Sequence, residues 1–274
     1  MTFRSTIGLL VLGSLLVTSG AAFAQTEEDQ VKATLTQLSD ALGKGDSKAV
    51  GEMIANTGFV GLVGAMDDPM VLTKDEMLAL LTNSGVPVTF EDVKVTTHWM
   101  VALVSAKVVP AGTPAAEGFV LDAILMREAG KWKFASVCLL TEQAEATEEQ
   151  IKAFVDRVAA LPDSLKQGNA QALGNAIHDE HFILVLVDPS LEFRSATSKT
   201  ALTQMVDAVI PMVTISDSRL DVSRTTLGRS VAVVDGTWLL DITDFGQTNT
   251  AIRAYAVKVN DEWKIVALGG GPAK

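Results

Sequence analysis

His178-Asp179-Glu180-His181 is the densest run of proton-transferring and metal-ligating side chains in the sequence. Imidazole nitrogens and carboxylate oxygens bind transition metals, and a His beside an Asp can act as acid and base if both reach one substrate. Two rings three residues apart share a face only on a continuous helix, whereas the apolar run Phe182 to Val187 that follows reads as extended. A solvated helix end, with a His meeting the negative end of the helix dipole, accounts for the same residues. No metal and no other cofactor is therefore expected, while a ligand-facing role for His178 or Asp179 stays open. Asp241, near Trp238, and Tyr255, the one tyrosine of the chain, complete the set from which an acid and a base could be drawn.

These residues sit in the second of two copies of one pattern. Gly45-Asp46 answers Gly168-Asn169 at a spacing of 123, and the same spacing relates Leu42 to Leu165, Ile54 to Ile177 and Phe59 to Phe182. Trp132-Lys133 answers Trp263-Lys264 at a spacing of 131, so the second copy has gained residues in its middle. A period of this length exceeds the ~20–50 residues of solenoid repeats and implies two folded domains. At the 131 spacing Asp122 matches Arg253 and Ile124 matches Tyr255. If the copies pack face to face, Asp122 and Arg253 would pair at the domain interface; on open sheet faces each would meet water. At the other end, Asp179 has Asn56 as its counterpart.

Each copy places helices before strands. Val31, Leu35, Leu38 and Leu42 recur at helical spacing, as do Phe154, Val158, Leu161 and Leu165, where Pro162 should kink or break the last turn. A short second helix is expected at Ser47 to Ala55 and at Ala170 to His178. A third begins at Thr73, where Thr73 and Glu76 form a capping box, with its counterpart near Ser198. From Val86 the period shifts to two, giving strands near 89–95, 99–109, 119–127 and 131–139, and near 214–222, 230–241, 250–259 and 262–268. Ala129-Gly130 and Asn260-Asp261 are hairpin turns, and Asp67-Asp68-Pro69 reads as a loop. His98, Trp99 and Trp238 are expected in the core or a pocket wall. Helices grouped ahead of an antiparallel sheet predict an α+β fold.

An opening helix ending at Lys44-Gly45-Asp46, a Phe-bearing strand, and a last hairpin reading Gly130-Lys131-Trp132-Lys133-Phe134 or Asp261-Glu262-Trp263-Lys264-Ile265 resemble the SnoaL-like branch of the nuclear-transport-factor-two-like superfamily. The resemblance covers nearly the whole chain after residue 24. It implies two tandem cone-shaped domains, each with N-terminal helices packed on a curved antiparallel sheet around a pocket, and it implies no single chemistry. An isomerase of that superfamily needs an Asp base with a Tyr and a protonated Asp as oxyanion hole, and no motif here places an Asp beside Tyr255. A hydrolase set of Asp, Arg and Asp finds only Asp241 and Arg253 on strands.

Residues 1–24 read as a cleavable signal peptide, with a basic start, an apolar run from Ile7 to Val17 and a small-x-small site at Ala22-Phe23-Ala24. Domain one is then expected at 25–144 and domain two at 145–274, in the periplasm or secreted. A net charge of −11 disfavours nucleic acid and anionic membrane surfaces, so no membrane association is expected after cleavage. The lone Cys138 lies in an apolar run and reads as a packing thiol. The sequence thus points to non-catalytic binding of a small hydrophobic ligand or a protein partner, with His178, Asp179, Asp241 and Tyr255 as ligand-binding candidates and the two domains as an intramolecular pseudo-dimer. The alternative is an enzyme of isomerase, dehydratase or hydrolase type working in the pocket of domain two.

Overall fold

The computed structural model describes residues 26–64, 69–114, 117–141, 148–187, 193–228, 230–244 and 246–273. The signal segment, Asp67-Asp68 and the domain boundary at 144/145 lie outside them. Helix α1 (Glu27–Gly43) starts at Thr26, whose hydroxyl accepts from the Asp29 amide at 3.1 Å while the Asp29 carboxylate accepts from the Thr26 amide at 3.3 Å. This reciprocal cap satisfies two of the free amides of the first turn. The helix buries Val31, Leu35 and Leu42 and stops ahead of Gly45, which takes the left-handed φ of 62°. Helix α2 (Ser47–Met53) is capped by Asp46, and α3 (Lys74–Ser84) by the Thr73–Glu76 box.

Domain two repeats the set with α4 (Glu148–Lys166), α5 (Ala170–Ala176) and α6 (Lys199–Val209), the last followed by a 3-10 turn at Ile210–Met212. Pro162 does not end α4, which runs on to Lys166. The lost hydrogen bond is outweighed because Phe154, Val158 and Leu161 are all buried against the sheet.

The strands of domain one are β1 (Val60–Val63), β2 (Met70–Leu72), β3 (Val88–His98), β4 (Val101–Pro110), β5 (Phe119–Glu128) and β6 (Lys131–Thr141). Those of domain two are β7 (Ile183–Val187), β8 (Phe193–Ala196), β9 (Ile215–Leu227), β10 (Val231–Ile242), β11 (Gly246–Val259) and β12 (Glu262–Pro272). The two six-stranded sheets have the same order, β2-β1-β6-β5-β4-β3 and β8-β7-β12-β11-β10-β9. The four long strands of each form an antiparallel meander. The first strand of each joins its last in parallel, β1 to β6 and β7 to β12, so both sheets are mixed. The short edge strands β2 and β8 carry no alternation long enough to predict. Ala129-Gly130 and Asn260-Asp261 turn their hairpins with both φ values positive.

Because side chains alternate across a strand, each sheet has two buried faces. One face meets the domain's own helices: Val31 and Leu35 with Val104, Leu125 and Phe134 in domain one, and Phe154 and Leu161 with Val234, Ala254 and Ile265 in domain two. The opposite faces share a single apolar cluster that joins Val101, Ile124 and Cys138 of domain one to Val185, Val233 and Tyr255 of domain two.

Candidate functional site

Between the helices and the sheet of domain one lies a cavity of about 80 Å³. Leu38 and Leu42 of α1, Val50 of α2, and Met77 and Leu81 of α3 form its helical wall, and Phe90, Val108, Phe134 and Val137 form its sheet wall. Every lining side chain among the described residues is apolar. Leu38, Leu81, Val88 and Phe90 are only half-buried and form its partly open rim. Among the described residues no group that accepts or donates a proton lines the cavity, and the side chains that do line it can exclude water and hold apolar matter. In domain two the Trp238 indole packs against the helix-facing core and its Nε1 donates to Ser218 Oγ at 3.0 Å.

The sequence-chosen residues do not converge. Helix α5 ends at Ala176, and beyond it His178 Nδ1 accepts the backbone amides of Glu180 (3.3 Å) and His181 (3.2 Å). That nitrogen is thus used in a turn; burial first, and the neighbouring His181 second, hold the imidazole below its usual pKa. The ring centroids of His178 and His181 are 5.5 Å apart, and among the described residues no three His, Cys, Asp or Glu side chains group to hold a metal ion. Asp179 receives Lys199 Nζ at 2.8 Å, which ties this turn to the start of α6. Its counterpart Asn56 receives Lys74 Nζ at 3.3 Å, so both residues have the same positional role.

Asp241 lies opposite Gln247 on β11, eight residues from Tyr255. At about 3.3 Å per residue that is roughly 26 Å, too far for one substrate. Tyr255 is fully buried in the layer between the domains, where burial pushes its hydroxyl well above the usual value and keeps it protonated. Burial likewise holds the Cys138 thiol protonated. His98 is buried and its Nδ1 lies 2.9 Å from the Pro272 carbonyl, but Trp99, expected to pack, is 47 % exposed at the hairpin tip with φ 53°. The positive φ of the turn swings that ring away from both sheet faces.

Asp122 and Arg253 stand in the shared layer, 0 % and 4 % exposed, with Arg253 Nη1 at 3.3 Å from Asp122 Oδ1. The guanidinium also grips Asp235 (Nε to Oδ1 2.7 Å, Nη2 to Oδ2 3.0 Å), Ser105 Oγ (2.9 Å) and the carbonyl of Val104. Arg224 closes the group by donating to Asp122 Oδ1 at 2.6 Å and to Asp235 Oδ2 at 2.7 Å. Asp235 and Arg224 were missed from the sequence because each falls at an ordinary polar position of an alternating strand. Burial raises the Asp235 carboxyl, but the hydrogen bonds and charge of Arg253 and Arg224 outweigh it and hold the group below its usual pKa. A depressed folded-state pKa gives stability that is present above the unfolded value and lost as the pH falls through the folded one. Unfolding stability should therefore be flat near neutrality and fall from pH about 4 downward, and Asp235→Asn should remove part of that slope in acid titrations followed by circular dichroism.

No protein-family model matches the chain, and no curated protein matches it. Among solved structures, a cystatin-like protein of unknown function from Nostoc punctiforme is similar at 14 % identity and a TM-score of 0.38, over 47 % of this chain and 95 % of that one. An NTF-2 like protein of unknown function from Shewanella oneidensis gives 14 %, 0.37, 44 % and 98 %, and a DUF4783 family protein from Bacteroides uniformis 16 %, 0.31, 42 % and 95 %. NTF2-like and cystatin-like proteins are thus among the neighbours. At these scores the likeness carries no statement about chemistry, and the architecture rests on the strand order of the chain itself.

Proposed function

We propose that this chain is an exported, non-catalytic binding protein whose first domain takes the apolar end of a small molecule into its cone. The single observation that carries the reading is a partly open cavity whose described lining side chains are all apolar. Its about 80 Å³ is roughly half of the 150 Å³ that holds a benzene ring in an engineered cavity, so part of the ligand lies across the half-exposed rim. Export rests on the signal-peptide pattern of residues 1–24. The enzymatic alternative finds no support in the arrangement of His178, Asp179, Asp241 and Tyr255, which do not face a common space.

Titration of naphthalene into the full chain tests the proposal. One site is expected, weakened at least tenfold by Val137→Phe, which fills the cavity from its sheet wall, and unchanged by Asp179→Asn. Equal affinity for Val137→Phe and the wild type would place the ligand elsewhere and sink the reading.

A further inference from the structure

Among the cavity-wall positions at which the two domains differ, one neighbouring pair changes both size and polarity. Val108 pairs with Phe119 across β4 and β5, and Trp238 pairs with Thr250 across β10 and β11; Phe119 and Thr250 are 131 residues apart, so Val108 and Trp238 are equivalent. On the adjoining strand Val88 pairs with Pro110 and Ser218 with Leu240, which makes Val88 equivalent to Ser218. Val88 and Val108 both line the cavity of domain one. In domain two the same two places hold an indole and the hydroxyl that accepts its N–H at 3.0 Å, with Ser218 only 5 % exposed. The second cone therefore carries a built-in ring, together with the acceptor that the ring requires.

Resting on the binding function proposed above, we infer that cone one takes from outside what cone two supplies from its own chain: a planar aromatic ring system of about indole size, without a hydrogen-bond donor on its buried edge. Val108 leaves the room that Trp238 fills. Val88 offers the edge of that ring a methyl surface in place of the Ser218 hydroxyl, so a buried N–H there would stay unsatisfied, a loss of about tenfold or more in affinity. Half-exposed Leu81 and Phe90 at the rim cover the part of the ring that the cavity does not enclose. Val88 and Val108 are thus the specificity-determining positions, the first for polarity and the second for size.

Competitive titration of naphthalene and indole against the full chain tests this. The two rings differ in their intrinsic transfer from water, so the readout is the change in their affinity ratio. Val88→Ser should shift that ratio at least fivefold toward indole. Val88→Ser combined with Val108→Trp should copy the closed cone and abolish naphthalene binding with the melting temperature kept, and Ser218→Val with Trp238→Val should raise the stoichiometry from one site to two. If the wild type binds naphthalene and Val137→Phe blocks it, yet Val88→Ser leaves the ratio unchanged, the inference fails while the binding function stands. Absence of naphthalene binding in the wild type overturns both. Should either double variant fail to fold, the ratio measured on Val88→Ser decides alone.

Discussion

Arg253→Ala should cost about 3–5 kcal/mol of stability, the range for removing one partner of a buried ion pair. The guanidinium is held by two carboxylates, a hydroxyl and two backbone carbonyls, and its loss leaves Asp122, which is 0 % exposed, with Arg224 as its remaining cation. Much of the penalty is the desolvation of a carboxylate left with one cation in place of two, and not the worth of the pair itself. Consequently Asp122→Leu added to Arg253→Met should recover a large part of the loss, since apolar groups of similar volume strand no charge. Urea unfolding followed by tryptophan fluorescence measures both. A loss below about 1 kcal/mol for Arg253→Ala, the level of an exposed pair, would mean that water reaches this layer and the burial account is wrong.

Gly269→Val is expected to separate the sheets. A Cβ at Gly269 would stand 2.5 Å from Ile124 Cγ2, and one at Gly271 would stand 2.5 Å from His98 Cβ. Real Cβ atoms do not approach so closely, so the facing sheet must retreat or tilt. Overpacking of this kind costs about 1–3 kcal/mol, and small-angle scattering should report a larger radius of gyration. Ile124→Ala on the opposing sheet should restore the compact form, because it removes the atoms that the new side chain meets. Gly270→Val is the control: its Cβ would strike the Ala251 carbonyl of its own sheet, so Ile124→Ala should not rescue it. Rescue of Gly270→Val, or failure to rescue Gly269→Val, would disprove the contact.

The frame of the molecule was legible because its signals are local. Thr73 with Glu76, Gly45 and Asn260-Asp261 specify caps and turns through their own backbone and side-chain chemistry, and the doubled spacing agrees with two sheets of one strand order. Pro162 was misleading, since tertiary burial of α4 overrode a local propensity. The site was less legible for two physical reasons. Apolar residues that line a cavity have the same pattern as residues that fill a core, so nothing local sets Val50, Val108 and Val137 apart from packing residues, and the match of Val108 to Trp238 emerges only from the strand register. Tyr255, which differs from its counterpart Ile124, reads from the sequence as a ligand-binding candidate, yet both lie in the layer between the domains, where Asp122 and Arg253, the interface candidates, also stand. Their difference serves docking: Ile124 meets Gly269, and Arg253 meets Ser105 of the opposite copy as well as Asp235 of its own.

Two copies on one polypeptide are held at an effective concentration in the millimolar range or above by a short connection. A contact under that condition does not need to be strong, only correct. Separate chains meeting by diffusion would have to recover the desolvation of Asp122, Asp235 and Arg253 from affinity, whereas a tethered pair has that cost offset by proximity. The buried charges then act as a key: they admit the neighbouring copy in one register and turn away a second molecule offering the same face, because Asp122 would meet Asp122 or Arg253 would meet Arg253. Carrying both copies on one chain has a chemical consequence, in that it lets an interface trade strength for identity.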